Sequence, residues 1–211
     1  EDVEAPALPP HPWPKLPTQL PFTSPHFATP RGPSGTIVAS EKKLILFGSE
    51  SLESCFSKSL FARRLTHHNL TATTKFSFSP ASFQQMAGIT AYYNNRLFHH
   101  LYLSRDETIG NCLHIHTCDD GVSKFPLGTS PVPVDYEELF LRLVFKESAL
   151  QFSWSADGKL FSSIGPSLDA SILSDDYGKH LDFTGTFVGL TSVDMSGMKH
   201  PAEFYFLEFL T

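Results

Sequence analysis

Charge is scarce in this chain. Of 211 residues only 18% are Asp, Glu, Lys or Arg, and 16 basic residues against 22 acidic ones leave a formal charge of −6. A protein that holds nucleic acid by neutralising phosphates needs a basic patch, so nucleic acid is excluded as a partner. No apolar run approaches the roughly 20 residues that cross a bilayer as a helix, and no membrane partner is expected. Cysteine is limited to Cys55, Cys112 and Cys118. An odd count leaves at least one thiol unpaired within the monomer and excludes a disulfide framework. Cys112 and Cys118 share a strand-like run, about 20 Å apart if it is straight, too far to bridge along it. Motifs for a nucleophilic serine, a zinc helix or a phosphate loop are missing. No cofactor and no catalytic residue can be assigned from the sequence. The chain starts at Glu1 and not at Met, which reads as processing or as a piece of something longer.

Aromatic residues are abundant, with 19 Phe, 6 Tyr and 2 Trp among 41% hydrophobic residues. Aromatic, charge-poor chains without strong helical stripes suit sheets, because flat rings fit a half-buried pleated surface. The length fits about one large domain. Such a domain can bury about 70% of its extended surface.

Proline divides the chain. Ten of the 16 prolines fall before Ser34. At that density the backbone favours extended polyproline-like chain and cannot supply ladder donors, so residues 1–35 read as a Pro-rich linker or arm. From Phe22 onward this segment also carries aromatics to bury. Residues 36–211 read as a β-sandwich domain. Leu44-Ile45-Leu46-Phe47 is an apolar run closed by Gly48. Leu70, Ala72, Thr74, Phe76 and Phe78 share one face. Residues 86–93, 98–104, 112–118, 184–193 and 202–210 are further strand candidates. Leu139, Leu141, Leu143 and Phe145 alternate with Phe140, Arg142, Val144 and Lys146, and Leu150, Phe152 and Trp154 repeat the pattern. Asp157-Gly158 predicts a tight hairpin. Roughly eleven to thirteen short strands with regular turns predict an all-β sandwich or jelly roll. Residues 49–56 and 167–177 could each hold one helical turn.

Alternation puts His114 and His116 on one face, about 7 Å apart, a spacing that could suit a metal. No third or fourth ligand follows at a recognisable spacing, so strand histidines without metal are the reading. His67-His68 and His99-His100 point to opposite faces. Asp119-Asp120-Gly121 and Asp175-Asp176 lack the calcium-loop pattern and read as turn or cap residues. Asn69-Leu70-Thr71 is a glycosylation sequon and hints at secretion. Tyr92-Tyr93-Asn94-Asn95 sets rings beside amides at a strand end, the mixture a sugar site uses.

Several stretches taken together resemble one family. They are Gly48-Ser49-Glu50-Ser51-Leu52 with Ser59-Leu60-Phe61-Ala62-Arg63-Arg64, and Phe83-Gln84-Gln85-Met86-Ala87-Gly88 followed by Tyr92-Tyr93-Asn94. Further along come Ser153-Trp154-Ser155-Ala156-Asp157-Gly158, residues 165–176, residues 183–189, and Asp194-Met195-Ser196-Gly197 with Pro201-Ala202-Glu203-Phe204. The chain resembles, from about Thr23 to its end, the C-terminal concanavalin-like β-sandwich domain of glycoside hydrolase family 43 β-xylosidases. That resemblance implies a concanavalin-like jelly roll of two antiparallel sheets. It also implies a catalytic five-bladed propeller, N-terminal to this domain, that carries the catalytic carboxylates. A Phe from one sandwich loop closes the sugar pocket there, and the matching position is Phe183.

Two stretches depart from the family pattern. The loop before that Phe usually has Arg followed by glycines, and here it is Gly178-Lys179-His180-Leu181-Asp182. The segment before Leu44 is shortened and lacks the usual tryptophans. Both lie where the sandwich would meet the propeller, which suggests a domain partly freed from its enzyme. Three readings follow. The first is a non-catalytic accessory domain that works beside a catalytic propeller, with Phe183 shaping the pocket for xylo-oligosaccharide or a related glycan. The second is a free-standing, lectin-like sugar-binding protein with Arg63, Gln85, Tyr92, Asn94 and Asp194 as candidate contacts. The third is a structural or defence protein without a glycan ligand. An independent enzyme is the weakest reading, because glycosidases need two positioned carboxyls. An exposed sheet edge would let two copies pair, so an oligomer stays open as a partner class.

Overall fold

Period-two alternation decides where each side chain goes. In Glu138–Lys146 the alternate residues Leu139, Leu141, Leu143 and Phe145 are all buried, while Phe140, Arg142, Val144 and Lys146 face outward. The computed structural model describes residues 16–31, 35–177 and 183–211. Among them lie fifteen strands: β1 Phe27–Ala28, β2 Ile37–Ala39, β3 Leu44–Phe47, β4 Ser59–Arg64, β5 Asn69–Ser77, β6 Gln85–Asn94, β7 Leu97–Asp106, β8 Gly110–Asp119, β9 Val122–Lys124, β10 Val132–Pro133, β11 Glu138–Lys146, β12 Ala149–Ser155, β13 Ser162–Asp169, β14 Phe187–Asp194 and β15 Pro201–Leu210.

All pairings within the two sheets are antiparallel. One sheet has eight strands in the order β1-β4-β14-β6-β7-β8-β10, with β9 paired to β8; the other has seven in the order β13-β12-β11-β5-β15-β3-β2. Between them sits one continuous core. Phe76 and Phe204 stack at 5.4 Å within it, joined by Leu44, Leu46, Ile89, Leu101, Leu113 and Phe152, each fully buried. The fold is the all-β sandwich that the alternation predicts.

Part of the proline-rich segment lies on this sandwich. Leu20 and Phe22 are buried, Phe22 contacts the rings of Phe27 and Phe61, and Phe27 pairs with Arg63 across β1 and β4. Residues 1–15 and 32–34, which the arm reading included, lie outside the described residues.

The eight-stranded sheet also packs on its outer face. Leu52, from the long connection between β3 and β4, covers Leu60, Ala62, Tyr92, Phe98 and Cys118 in a second small core. That connection forms no helix. It is held at its tip by Glu53, whose carbonyl accepts from Asn95 Nδ2 at 3.2 Å and whose carboxylate accepts from the Ser123 hydroxyl. The other helical expectation reduces to one 3-10 turn, Ala170–Leu173, capped by the Asp169 side chain. The Asp157-Gly158 hairpin is looser than predicted. Six residues, 156–161, separate β12 from β13, because Asp157 Oδ1 accepts from both Lys159 N and Leu160 N and winds the chain through an extra turn. All three cysteines are free thiols, with Cys112 and Cys118 buried on β8.

Candidate functional site

Phe183 stands just before β14 with its side chain 75% exposed and a left-handed backbone, φ 49°. A bulky residue rarely adopts that region, so the surroundings must hold it there. They do so through the three residues that follow. Thr184 Oγ1 donates to Tyr93 O at 3.2 Å, Gly185 N to Asp175 Oδ1 at 3.2 Å, and Thr186 Oγ1 to Leu173 O at 2.6 Å. Asp175 is fixed in turn by Tyr93 Oη, which donates to the same oxygen at 2.7 Å. Burial, and then the bond to Asp175, push the Tyr93 hydroxyl above its ordinary pKa. Gly185 has φ 67°, a region that favours glycine, and a Cβ there would lie 2.2 Å from Arg64 Nη1 and push that guanidinium aside. Arg64 lies over the Phe187 ring at 4.6 Å. The result is an exposed ring on a rigid stem beside an exposed guanidinium.

Tyr92 and Asn94 belong to the same end of the eight-stranded sheet, since Phe187 pairs with Tyr92. Tyr92 is nearly buried. Its hydroxyl accepts from Lys58 Nζ at 2.6 Å, and burial, the largest cause, drives its pKa up. Burial likewise lowers the Lys58 ammonium to about 8, with Cys55 opposing and Arg31 adding to the shift. Asn94 Oδ1 accepts from Arg96 N at 2.8 Å and shapes the β6–β7 turn.

The other candidates lie elsewhere. Gln85 and Asp194 pair across β6 and β14 at the opposite end of strand β6 from Asn94, about 30 Å away at the rise of an extended chain. Gln85 Nε2 donates to Asp194 Oδ2 at 3.3 Å, and the same carboxylate accepts from Ser196 N, Ser196 Oγ and His200 N. Burial would raise the Asp194 carboxyl, but these bonds outweigh it and hold the group below its usual range. Arg63 points between the sheets, 5% exposed. Its guanidinium sits over the Phe209 ring at 4.4 Å, and burial lowers its pKa. Of the six predicted residues, the structure therefore gathers Phe183, Tyr92 and Asn94 at one end and leaves the Gln85–Asp194 pair and Arg63 apart.

The histidines are engaged separately. His116 Nε2 is hydrogen-bonded to Ser123 Oγ at 2.7 Å and stacks on Phe125, while His114 stacks on Tyr102. Among the described residues no three His, Cys, Asp or Glu side chains lie close enough to hold a metal ion. Sequence reasoning missed Arg64, Asp175 and Phe187, which build the stem. Asp175 read as a turn residue, and nothing local marks it as an anchor for a loop 10 residues away.

Residues 19–210 match the family described as the beta xylosidase C-terminal concanavalin A-like domain. The chain belongs to that family. Among relatives, it is 34% identical over 218 residues to a xylan 1,3-beta-xylosidase from Vibrio sp, covering 99% of this chain and 40% of that one. It is 36% identical over 173 residues to a putative beta-xylosidase from Escherichia coli K12, covering 81% and 32%. Among solved structures, a xylan beta-1,4-xylosidase from Bacillus halodurans C-125 superposes with a TM-score of 0.88 at 33% identity, covering 100% of this chain and 42% of that one. The chain thus spans about a third to two fifths of these relatives' length. As a member of the β-xylosidase C-terminal family, it corresponds to their C-terminal sandwich.

Proposed function

We propose that this sandwich is the non-catalytic accessory domain of a family 43 glycoside hydrolase of the β-xylosidase type, and that Phe183 helps to close the sugar pocket of a catalytic propeller. The observation that carries this reading is the Phe183 ring itself, 75% exposed on a stem fixed by Thr184, Gly185 and Thr186. A ring already held in place loses little freedom when a partner covers it, so its burial contributes to binding at a low ordering cost. Its contribution is positional: it excludes water and orients a sugar ring, while the reacting groups come from the partner domain. The beta-xylosidase names of the relatives favour xylo-oligosaccharide or a related glycan as the sugar. Asn94 and the exposed Arg64 lie at the same end of the sheet and are the neighbours that would share this surface, with nearly buried Tyr92 beneath.

A test is to add the chain to a relative's catalytic domain stripped of its own sandwich, and to measure kcat/KM on an aryl xyloside. The native chain should raise kcat/KM, and Phe183→Ala should bind the propeller but forfeit most of that gain. Saturable xylo-oligosaccharide binding by the chain alone, weakened by Tyr92→Ala and indifferent to Phe183→Ala, would replace this reading with the lectin-like one.

A further inference from the structure

The Asn69-Leu70-Thr71 triplet opens β5, and the sandwich role has no use for it. Alternation buries Leu70 and turns Asn69 and Thr71 to the outer face of the seven-stranded sheet. Asn69 is exposed. Its Oδ1 accepts from Glu147 N at 3.2 Å, at the β11–β12 turn, and its Nδ2 has no acceptor among the described residues. Thr71 lies opposite Val144 on one side and Leu210 on the other. Beside these residues runs an open groove of about 550 Å³, lined by Asn69, Thr71, Val144, Lys146, Leu210 and Thr211. Leu210 is 45% exposed there. The groove is therefore an apolar trough with a polar rim that begins at the sequon asparagine. Such a trough suits a pyranose, whose C–H face can lie on Val144 and Leu210 while its hydroxyls and acetamido group reach Thr71 and Lys146.

We propose that Asn69 is the acceptor of an N-linked glycan, and that the first N-acetylglucosamine of that glycan lies along this groove. The donor class is a polyprenyl-diphosphate oligosaccharide. Asn69 Nδ2 forms the new bond to C1 of the reducing-end sugar, and the C1–O bond to the diphosphate breaks. The diphosphate leaves with the electron pair, and the amide proton passes to a base of the transferase. The sequon is read on the extended chain before folding. The fold then tolerates the product, because Asn69 faces solvent and its Oδ1 bond to Glu147 survives the substitution on nitrogen.

The test uses the full 211-residue chain, directed through the secretory pathway of a eukaryotic host and recovered folded. Peptide mapping after enzymatic deglycosylation in ¹⁸O water should convert Asn69 to ¹⁸O-labelled Asp. Thr71→Ala should abolish occupancy, whereas Thr71→Ser should retain it; circular dichroism of both variants separates loss of the site from loss of the fold. After trimming to a single sugar, nuclear Overhauser contacts should link its ring C–H protons to the Val144 and Leu210 methyls. An unmodified Asn69 in the secreted, folded protein would overturn the proposal, as would occupancy that survives Thr71→Ala. Occupancy without those methyl contacts would overturn the placement in the groove. None of these results depends on catalysis or on a propeller.

Discussion

Replacing Asp194 by Asn changes one carboxylate oxygen for NH₂ and leaves the volume nearly intact, so its cost measures the hydrogen bonds and the charge at this site and not packing. Oδ1 takes Ser196 N at 2.9 Å and the Ser196 hydroxyl; Oδ2 takes His200 N at 2.8 Å and Gln85 Nε2 at 3.3 Å. An asparagine can keep one of these two sets. If its oxygen stays with His200 N–H and Gln85 Nε2, its NH₂ turns to Ser196, whose hydroxyl can rotate to accept it and whose N–H is left without its partner. The opposite orientation would set the NH₂ against His200 N–H and Gln85 Nε2, and Gln85 cannot turn over, because its Oε1 already accepts from Ala81 N at 2.8 Å. Losing that one partner costs about 1–3 kcal/mol. At about 2–4 °C per kcal/mol for a domain of this size, the Tm should fall by roughly 2–12 °C in calorimetry.

The pH dependence supplies the control. The folded Asp194 carboxyl titrates below its usual range, so its stabilisation is complete above the unfolded value of about 3.9 and disappears as pH falls through the folded value. The gap between native protein and Asp194→Asn should be constant from about pH 5 to 8 and close in acid. A Tm within about 1 °C of the native protein at pH 7 would refute this account of the site.

Three further expectations can be checked on the isolated chain. Gly88→Ala should prevent folding or cost upwards of about 3 kcal/mol in urea denaturation, because the new Cβ would lie 2.0 Å from Leu101 O and 2.7 Å from Tyr102 Cα, both backbone atoms. Phe76→Ala, which opens the stacked pair with Phe204, should cost about 3–5 kcal/mol in the same assay. His100 is fully enclosed and hydrogen-bonded to Thr191 Oγ1 at 2.8 Å; burial, and secondarily its neighbour His116, lower its pKa to about 3. The unfolded chain therefore gains a proton below about pH 6.5 that the folded chain refuses, and stability should decline with falling pH across that interval. His100→Gln should flatten the decline between about pH 6.5 and 4, seen as urea midpoints at the two ends of that range.

How much was legible in the sequence depended on how cleanly each strand divides inside from outside. β5, β11 and β12 announce themselves, because one face meets the core and the other meets water. β4 does not: five of its six residues are buried, two of them Ser59 and Arg63, and its outer face is covered by Leu52. A strand buried on both sides loses its alternation. β13 fails for the opposite reason, as most of its residues are exposed on a sheet edge and Ser, Gly and Pro dominate its composition. For the candidate site, ring-and-amide composition pointed to Tyr92 and Asn94, and family likeness pointed to Phe183, and the three share one end of the eight-stranded sheet. Gln85 and Asn94 stand at the two ends of one ten-residue strand, about 30 Å apart at the rise of an extended chain, too far for one sugar ring. Asp175 reads only as a turn residue because its two partners, Tyr93 and Gly185, come from different parts of the chain.

The position of β15 has a consequence for how this molecule comes to be made. Its ten residues come last among the described strands, yet they lie in the interior of the seven-stranded sheet, between β5 and β3. During synthesis β3 and β5 emerge early and must wait with open edges until residues 201–210 leave the ribosome. Until then the core lacks Phe204, Leu207 and Phe209, and the waiting edges can recruit another nascent chain. The closing contacts join segments more than a hundred residues apart, a topology that folds slowly. A chain cut before residue 201 would hold two half-sheets with no strand to join them, so the closure of this sheet is decided by β15.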